Sequence, residues 1–290
     1  MRFLALVSII WAFSFGLIGN ALSGLDSFFV TSVRLGLATL IFLPFFRFKK
    51  LPPKQAIQLF GCGAVQFGIM YVCYIKAFTY IPSHLVALFS VMTPIYVVLI
   101  HDLRHKQWTA RYIAAAGLSV IGAVIIKAKL GESETLWIGF GLMQLAGLAF
   151  AFGQVYYRDW KARFPDTENR NVFALLYLGG VSFALLASSM QTDWAEIEVS
   201  MQQWLVLLYL GVIASGLCFF LWNKGATLCK PGTLAAFNNV VVPLAMVTSL
   251  FIFGEINQVQ SDQMIRLILG GTFIFAAVYV AERDTPKNTE

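Results

Sequence analysis

Long apolar runs dominate this chain, and short polar connections separate them. Most of the runs contain no Asp, Glu, Lys or Arg, and one is interrupted only by Arg34. Each is long enough to cross a bilayer core, which takes roughly 20 apolar residues. The pattern predicts ten membrane spans, at 3–22, 28–46, 56–75, 83–101, 110–127, 136–157, 171–190, 204–222, 232–253 and 264–281.

The composition agrees with this pattern. The chain is 58% hydrophobic and only 12% charged, whereas soluble domains carry roughly 25% charged residues. The first run follows Arg2, but its apolar stretch exceeds the roughly 7–15 residues of a signal peptide, so we expect it to remain as a span. The sequence therefore predicts an all-α integral membrane protein with no soluble domain.

Basic residues mark one side of the membrane. Lys and Arg concentrate near both termini and in the even-numbered connections, such as 47–54 and 158–170, while the connection after the seventh span is acidic. The positive-inside rule then places both termini and the even connections in the cytoplasm, which predicts a multi-pass protein of the cell inner membrane. The net charge of +6 fits the anionic lipid surface, so no nucleic-acid partner is expected.

The two halves of the chain resemble each other. The stretch WAFSFG at 11–16 pairs with LAFAFG at 148–153, and Pro94 pairs with Pro243. Five spans per half is an odd number, so the second half must enter the membrane from the opposite side. Such inverted repeats place the substrate site of transporters near the bilayer midplane.

This symmetry sets the predicted organisation of the chain. Residues 1–130 form the first five-helix repeat and residues 131–290 form the second, both within one membrane domain. The predicted fold is therefore ten transmembrane helices arranged as two five-helix inverted repeats.

Short motifs along nearly the whole chain carry a family resemblance. They are the WAFSF stretch at 11–15, Arg34, the Ala-(x4)-Pro step at 77–82, YLGVIASG at 209–216, and Pro243 with the following Gly254-Glu255. These motifs resemble the EamA-type family of the drug/metabolite transporter superfamily. The resemblance implies a basket of ten helices, with a central cavity lined by spans 1, 3, 4, 6, 8 and 9 and with spans 5 and 10 at the periphery.

No Asp or Glu lies near the middle of a predicted span, and those nearest to the spans lie at their ends. Glu255 and Asp102 lie there, where an interfacial charge and a gating role are both open readings. Asp102 also replaces the Glu that is commoner in the family. A proton-coupled exporter of cationic drugs needs a buried carboxylate, so the sequence favours anionic and zwitterionic metabolites.

Polar and aromatic side chains near mid-depth are the candidates for substrate binding. Their alternative role is hydrogen bonding between helices, which contributes only about 0.6 kcal/mol on average. The candidates, which include the cation Lys76 at the outer end of the third span, are Trp11, Ser14, Gln66, Tyr74, Lys76, Ser90, Thr93, Gln144, Ser215, Trp222, Asn238 and Asn239.

Arg34 is the one charge well inside a predicted span. Intramembrane cations are functional candidates by default, so Arg34 is a possible charge contact for the substrate. Two alternatives stay open: the side chain extends to the outer interface, or it has a structural role that is common in the family.

Two prolines lie near the centres of matching spans. Pro94 and Pro243 each remove one backbone hydrogen bond and displace the carbonyl four residues earlier, at Ser90 and Asn239. In hydrocarbon an unpaired carbonyl costs several kcal/mol, so these groups should face protein or a wet cavity. We expect the prolines to act as hinges or gates; kinks tolerated without a function are the alternative.

The sequence gives little support for a metal site, a bound cofactor or an enzymatic activity. His101 and His105 have the spacing of a metal site on a helix, but Arg104 and Lys106 beside them disfavour a cation. The four cysteines form no CxxC pair, and no phosphate-binding loop motif is present. We therefore expect no metal, no cofactor and no catalytic residues.

The sequence as a whole predicts a secondary transporter. It should move a small organic solute, such as an amino acid, a carboxylate or a related polar metabolite, across the cytoplasmic membrane by alternating access, with export as the expected direction. Export of other amphiphilic metabolites or drugs is the alternative, and a membrane-embedded enzyme or a regulatory subunit is a distant one. The expected partners are the substrate and the lipid bilayer, and both a monomer and a homodimer stay open.

Overall fold

A computed structural model describes residues 2–46, 51–106, 134–229, 231–258 and 261–282, together with a few single positions between 107 and 133. Within these ranges the chain is helical and has no β-strand. The long helices of the described residues are α1 (Arg2–Ala21), α2 (Ser27–Phe42), α3 (Pro53–Ala77), α4 (Ser83–Arg104), α5 (Glu134–Arg163), α6 (Asn169–Gln191), α7 (Met201–Thr227), α8 (Pro231–Val247) and α9 (Ser261–Glu282).

The helices α1 to α7 are each long and apolar enough to cross a membrane. Two shorter apolar stretches follow: Val240–Ile252, which joins the end of α8 to the π-helical segment Thr248–Ile252, and Met264–Phe273 in α9. The nine helices match the predicted spans 1–4 and 6–10, and the fifth span, 110–127, lies largely outside the described residues. The protein is thus an all-α, multi-pass membrane protein, while the ten-helix inverted repeat and the cytoplasmic termini stay predictions.

Side chains just before two helices satisfy backbone groups that the first turn leaves unpaired. The carboxylate of Asp26 accepts hydrogen bonds from the backbone N–H groups of Phe28 and Phe29 at the start of α2. The Ser200 and Gln203 side chains form a reciprocal capping box at the start of α7. Such caps contribute about 0.5–2 kcal/mol each, and they fix where these helices begin.

Glycines allow α3 and α6 to cross at backbone contact. A Cβ atom on Gly63 would lie 1.9 Å from the carbonyl oxygen of Leu176, and one on Gly179 would lie 1.9 Å from that of Phe60. Only residues without a side chain fit such a crossing, which is the usual way membrane helices pack closely.

The remaining packing surrounds the centre of the molecule. The helix α1 packs on α7 and α8, α4 packs on α5 and α8, and α2 packs on α6 and on the middle of α7. The helix α9 lies outside this group, against α4. This arrangement brings the middle turns of seven helices around one central space.

Three of these helices depart from α-helical geometry near that space. The segments Ala64–Ile69 in α3 and Leu210–Leu217 in α7 are π-helical, and α4 contains a 3-10 turn at Ser90–Met92. Such irregular turns free backbone carbonyls and are frequent at functional sites. They mark the centre of the molecule as the candidate location of a functional site.

Candidate functional site: a central cavity with a buried arginine

A cavity occupies the centre of the helical assembly. The space open to the centre of a water-sized sphere is about 100 Å³, within a larger empty volume of about 730 Å³ that includes open solvent at its mouth. Seven helices, α1 to α5 with α7 and α8, contribute to its wall. The lining residues are Trp11, Ser14, Phe15, Arg34, Met70, Tyr71, Tyr74, Ser90, Thr93, Met143, Ala146, Gly147, Phe150, Phe219, Asn238 and Val241.

Arg34 is the charged residue of this wall. Its side chain is only 2% exposed. The Nε atom donates to Ser215 Oγ at 3.1 Å, and Nη2 donates to the Tyr71 hydroxyl at 3.1 Å. The guanidinium also lies over the Tyr71 ring, 4.8 Å from its centroid. These contacts fix the position of the cation while leaving one end of it unused.

The Nη1 atom of Arg34 is buried and has no hydrogen-bond partner. Among the described residues, no carboxylate lies within ion-pair distance of this guanidinium. A buried charge without a counter-ion is costly, and an arginine edge is a planar donor suited to a carboxylate. The unpartnered nitrogen therefore makes Arg34 the candidate contact for an anion.

A second layer of side chains holds the arginine in place. The Tyr71 hydroxyl donates to Ser215 Oγ at 2.7 Å, so the two partners of Arg34 are bonded to each other. The Tyr177 hydroxyl lies 2.6 Å and 2.7 Å from the carbonyl oxygens of Ser215 and Gly216, in the π-helical part of α7. The irregular turn of α7 thus exposes carbonyls that Tyr177 satisfies, and this fixes Ser215.

Aromatic rings form much of the remaining wall. The Trp11 indole N–H donates to the carbonyl oxygen of Ala214 at 2.9 Å, which locks the ring in one orientation. The Trp11 ring centroid lies 4.6 Å from that of Phe219 and 5.9 Å from that of Phe150. Tyr74 extends the aromatic surface on the side of α3. Such a wall buries an apolar ring of a ligand while the polar groups orient it.

Uncharged polar groups line the part of the wall formed by α1, α4 and α8. The hydroxyls of Ser14 and Ser90 donate to carbonyl oxygens of their own helices, which leaves their lone pairs for a ligand. Asn238 is held by a hydrogen bond from its Nδ2 atom to Gln154 Oε1 at 3.3 Å. Thr93 completes this polar part of the wall.

The structure brings some of the predicted residues to the wall and not others. Trp11, Ser14, Tyr74, Ser90, Thr93, Asn238 and Arg34 line the cavity. Their role in binding stays a prediction, since position alone does not test it. The side chain of Asn239 lies outside what the structure describes.

Several other candidates lie behind the wall in hydrogen-bonded pairs. Gln66 Nε2 donates to Asn223 Oδ1 at 3.0 Å, and the Trp222 indole N–H donates to Gln154 Oε1 at 3.1 Å. Ser215 bonds Arg34, as described above. All three candidates are 0% exposed, so they support the wall instead of forming it.

The last two candidates are placed away from the lining residues. Gln144 accepts a hydrogen bond from the Tyr96 hydroxyl at 2.9 Å and donates to the carbonyl oxygen of Phe140. The Lys76 ammonium lies 5.5 Å from the ring centroid of Phe28, at the end of α3. Neither of them belongs to the cavity wall.

Tyr71 is the important wall residue that the sequence reasoning missed. It lies three residues before Tyr74, which puts the two side chains on the same face of α3. This spacing could have identified Tyr71 as a second candidate wall residue beside Tyr74. The apolar wall residues, such as Met70, Met143 and Phe219, carry no comparable signal, because most apolar residues of a membrane helix face lipid or a neighbouring helix.

Contacts among α1, α4 and the chain after α8 bring these elements together beyond one end of the cavity, and we interpret this end as closed. The Glu255 carboxylate accepts hydrogen bonds from the backbone N–H groups of Ser83 and His84, at 3.2 Å and 3.0 Å. Its Oε2 atom also lies 2.7 Å from His84 Nδ1. Gly16 and Gly19 of α1 pack against Phe253 and Ser83, respectively, so closely that a Cβ atom would not fit.

These contacts lie beyond the cavity residues along all three helices. On α1, Gly19 follows the wall residue Phe15, and on α4, Ser83 precedes the wall residue Ser90. Glu255 likewise follows the wall residues of α8. The positive-inside pattern predicts that this closed end faces the outside of the cell.

The two prolines expected as hinges differ in their surroundings. Pro94 is buried and follows the 3-10 turn Ser90–Met92, so the hydrogen-bond pattern of α4 changes at this point. Pro243 is exposed and lies inside the α-helical part of α8. Their hinge role stays a prediction. The change of hydrogen-bond pattern at Pro94 makes it the better candidate of the two.

We expect Pro94→Ala to insert normally and to slow transport about fivefold, because one restored backbone hydrogen bond of about 1 kcal/mol favours a straighter α4. Pro243→Ala should have a smaller effect and bias the protein toward the opposite-facing state. Transport assays and labelling of a cysteine placed at Ser14, in a variant without the native cysteines, measure both. Pro165→Ala, in an exposed loop, is the control. Wild-type rates in both variants would show that the kinks are merely tolerated.

Known membrane transporters resemble this chain in sequence. The chain matches the EamA-like transporter family over residues 1–128. A probable biotin transporter of Pseudomonas aeruginosa is 39% identical over 282 residues, covering 97% of this chain and 96% of its own length. The biotin transporters of Salmonella typhimurium and Escherichia coli K12 are 37% and 36% identical, covering 97% of this chain and 92% of theirs.

A solved crystal structure shares the fold. It superposes with a TM-score of 0.65 over 97% of this chain and 96% of that chain, at 16% sequence identity. The family resemblance inferred from the motifs is confirmed by the family match and by relatives that align over almost the full chain. The chain belongs to the EamA-like transporter family and is a transporter of small solutes, not an enzyme.

Proposed function

We propose that this protein carries biotin, or a close analogue of it, through the central cavity by alternating access. The proposed location is the cytoplasmic membrane, with both termini in the cytoplasm. Two independent observations support the proposal: relatives named as biotin transporters align over almost the whole chain, and the chemistry of the cavity wall matches that of biotin.

The unpartnered Nη1 atom of Arg34 is the observation that carries the proposal. Biotin ends in a flexible chain that bears a carboxylate, which is negatively charged at neutral pH. Bound at Arg34, this carboxylate supplies the counter-ion that the buried guanidinium lacks. Hydrogen bonds between ionised partners are roughly twice as strong as neutral ones, so this contact would fix one end of the substrate.

The rest of the wall fits the other end of biotin. Its fused ring system is compact and largely apolar, and its urea group both donates and accepts hydrogen bonds. The rings of Trp11, Phe150 and Phe219 offer apolar contact. Ser90 and Asn238 line the same cavity from α4 and α8, and they offer polar groups to the urea group.

This proposal narrows the substrate range expected from the sequence. The expected carboxylate group is kept, because the buried Arg34 cation with its unpartnered Nη1 atom supports it. The relatives named above are biotin transporters, not amino-acid transporters. Among the described residues, no acidic side chain lines the cavity to bind an amino group. Export, the direction expected from the sequence, stays a prediction.

Purified protein in liposomes tests the proposal. We expect saturable movement of radiolabelled biotin that excess unlabelled biotin abolishes and that amino acids leave unchanged. Loading biotin inside or outside the liposomes measures both directions. An amphiphilic drug that competes as well as biotin does, or no biotin flux above that of empty liposomes, would contradict the proposal and favour the alternative of a general amphiphile exporter.

A further inference from the structure

A second cleft lies at the opposite end of the molecule from Glu255, where α3 begins and where α4 and α5 end. Its empty volume is about 760 Å³, counted out to its opening. We infer that this cleft binds the headgroup of an anionic phospholipid of the cytoplasmic leaflet. The inference is independent of the identity of the transported solute.

Three cations line the cleft. They are Lys54 from the first turn of α3, Arg104 from the last turn of α4, and Arg163 at the end of α5. One acidic group is nearby, since Asp159 Oδ2 accepts a hydrogen bond from Arg104 Nε at 2.6 Å. No acidic residue belongs to the described lining, so the cleft keeps a positive balance that suits a phosphate group.

A buried donor without a partner also lines this cleft. The Trp160 side chain is 3% exposed, and its indole N–H has no hydrogen-bond partner. Trp160 is held by packing against Tyr157 and Phe164, so its ring is fixed in place. An indole N–H is a donor only, and the oxygens of a phosphate or an ester are acceptors that would satisfy it.

The surface next to the cleft favours a lipid over a free phosphate ion. Ile57 and Phe60 follow Lys54 on α3 at helical spacing, and they are 72% and 41% exposed. These side chains offer a place for an acyl chain directly beside the cations. The positive-inside pattern places this end at the cytoplasmic leaflet, which is rich in anionic lipids.

Native mass spectrometry of the full-length protein in detergent tests the inference. The probes are phosphatidylglycerol and phosphatidylcholine with identical acyl chains, offered in equal amounts. We expect phosphatidylglycerol to be retained preferentially. The double variant Lys54→Gln/Arg163→Gln should lower this retention about fivefold for each removed charge, in line with about 1 kcal/mol per basic residue at an anionic surface. Trp160→Phe, which keeps a ring but removes the donor, should lower it about two- to tenfold.

A matched control removes the same number of charges on the same predicted side. Arg170→Gln/Lys224→Gln lies outside the cleft and should leave the retention unchanged. A loss as large in the control as in the cleft variant would show a general surface charge effect and overturn the inference. So would displacement of phosphatidylglycerol by an equal concentration of inorganic phosphate, because that result assigns the cleft to the free ion.

Discussion

Replacing Arg34 with glutamine should abolish most biotin binding while leaving the protein in the membrane. Truncating one partner of a buried charge pair costs about 2–5 kcal/mol, so the dissociation constant should rise about 30-fold or more. The guanidinium forms no ion pair among the described residues, and the bond between its partners Tyr71 and Ser215 should keep them in place in the variant. Calorimetry or radioligand binding on purified protein measures the change.

The uncharged amide of biotin provides the control for this experiment. The wild-type protein should prefer biotin to biotin amide strongly, and Arg34→Gln should bind both equally weakly, because the preference arises at the carboxylate. Arg34→Lys should recover part of the preference, since it restores the charge without the planar edge. A glutamine variant that still prefers the acid over the amide would place the carboxylate elsewhere.

Replacing Glu255 with glutamine should open the end of the cavity that this residue holds closed. The carboxylate joins the chain after α8 to the first turn of α4 through Ser83 and His84. Hydrogen bonds to a charged group contribute about 1.5–3 kcal/mol, so the balance between closed and open states should shift about tenfold or more. Labelling of a cysteine placed at Ser14, from the side that Glu255 closes, should become faster.

The same contact should depend on pH in a defined direction. Burial raises the pKa of the Glu255 carboxyl, but hydrogen bonds from His84 and Ser83 outweigh it, so the net pKa lies below the ordinary value. A depressed pKa means that the contact stabilises the closed state above the ordinary pKa of the carboxyl. That stabilisation is lost as the pH falls through the lowered pKa.

Neutral solution should therefore favour closure, and strong acid should mimic Glu255→Gln. Glu196→Gln, which removes an exposed acid from the connection between α6 and α7, is the control. Unchanged labelling in Glu255→Gln at neutral pH would show that the packing of Gly16 and Gly19 against their neighbours closes this end without the carboxylate.

The spans were predictable because a bilayer imposes a simple requirement. A chain that crosses hydrocarbon must place about 20 apolar residues in succession. The order of residues in the sequence is enough to reveal such runs. Seven of the helices that the structure describes, α1 to α7, follow this pattern. The sequence also singled out Arg34 as a candidate, since a charge inside an apolar run is costly unless it has a use, and Arg34 lies in the cavity wall.

The sequence could not predict which candidate residues line the cavity and which lie behind the lining residues. Gln66 and Trp222 have the right depth and the right chemistry, yet both are fully buried behind the wall. Which face of a helix meets the cavity depends on how the helices are rotated about their axes. The π-helical segments of α3 and α7 change the rotation about the helix axis partway along each helix. No residue type in the sequence predicts such a segment.

A structure of the protein with biotin bound would test the central claim most directly. We predict that biotin lies in the central cavity, with a carboxylate oxygen about 2.7–2.9 Å from Arg34 Nη1 and its ring system against Trp11 and Phe219. Biotin bound outside this cavity, or bound within it with its carboxylate away from Arg34, would contradict the claim.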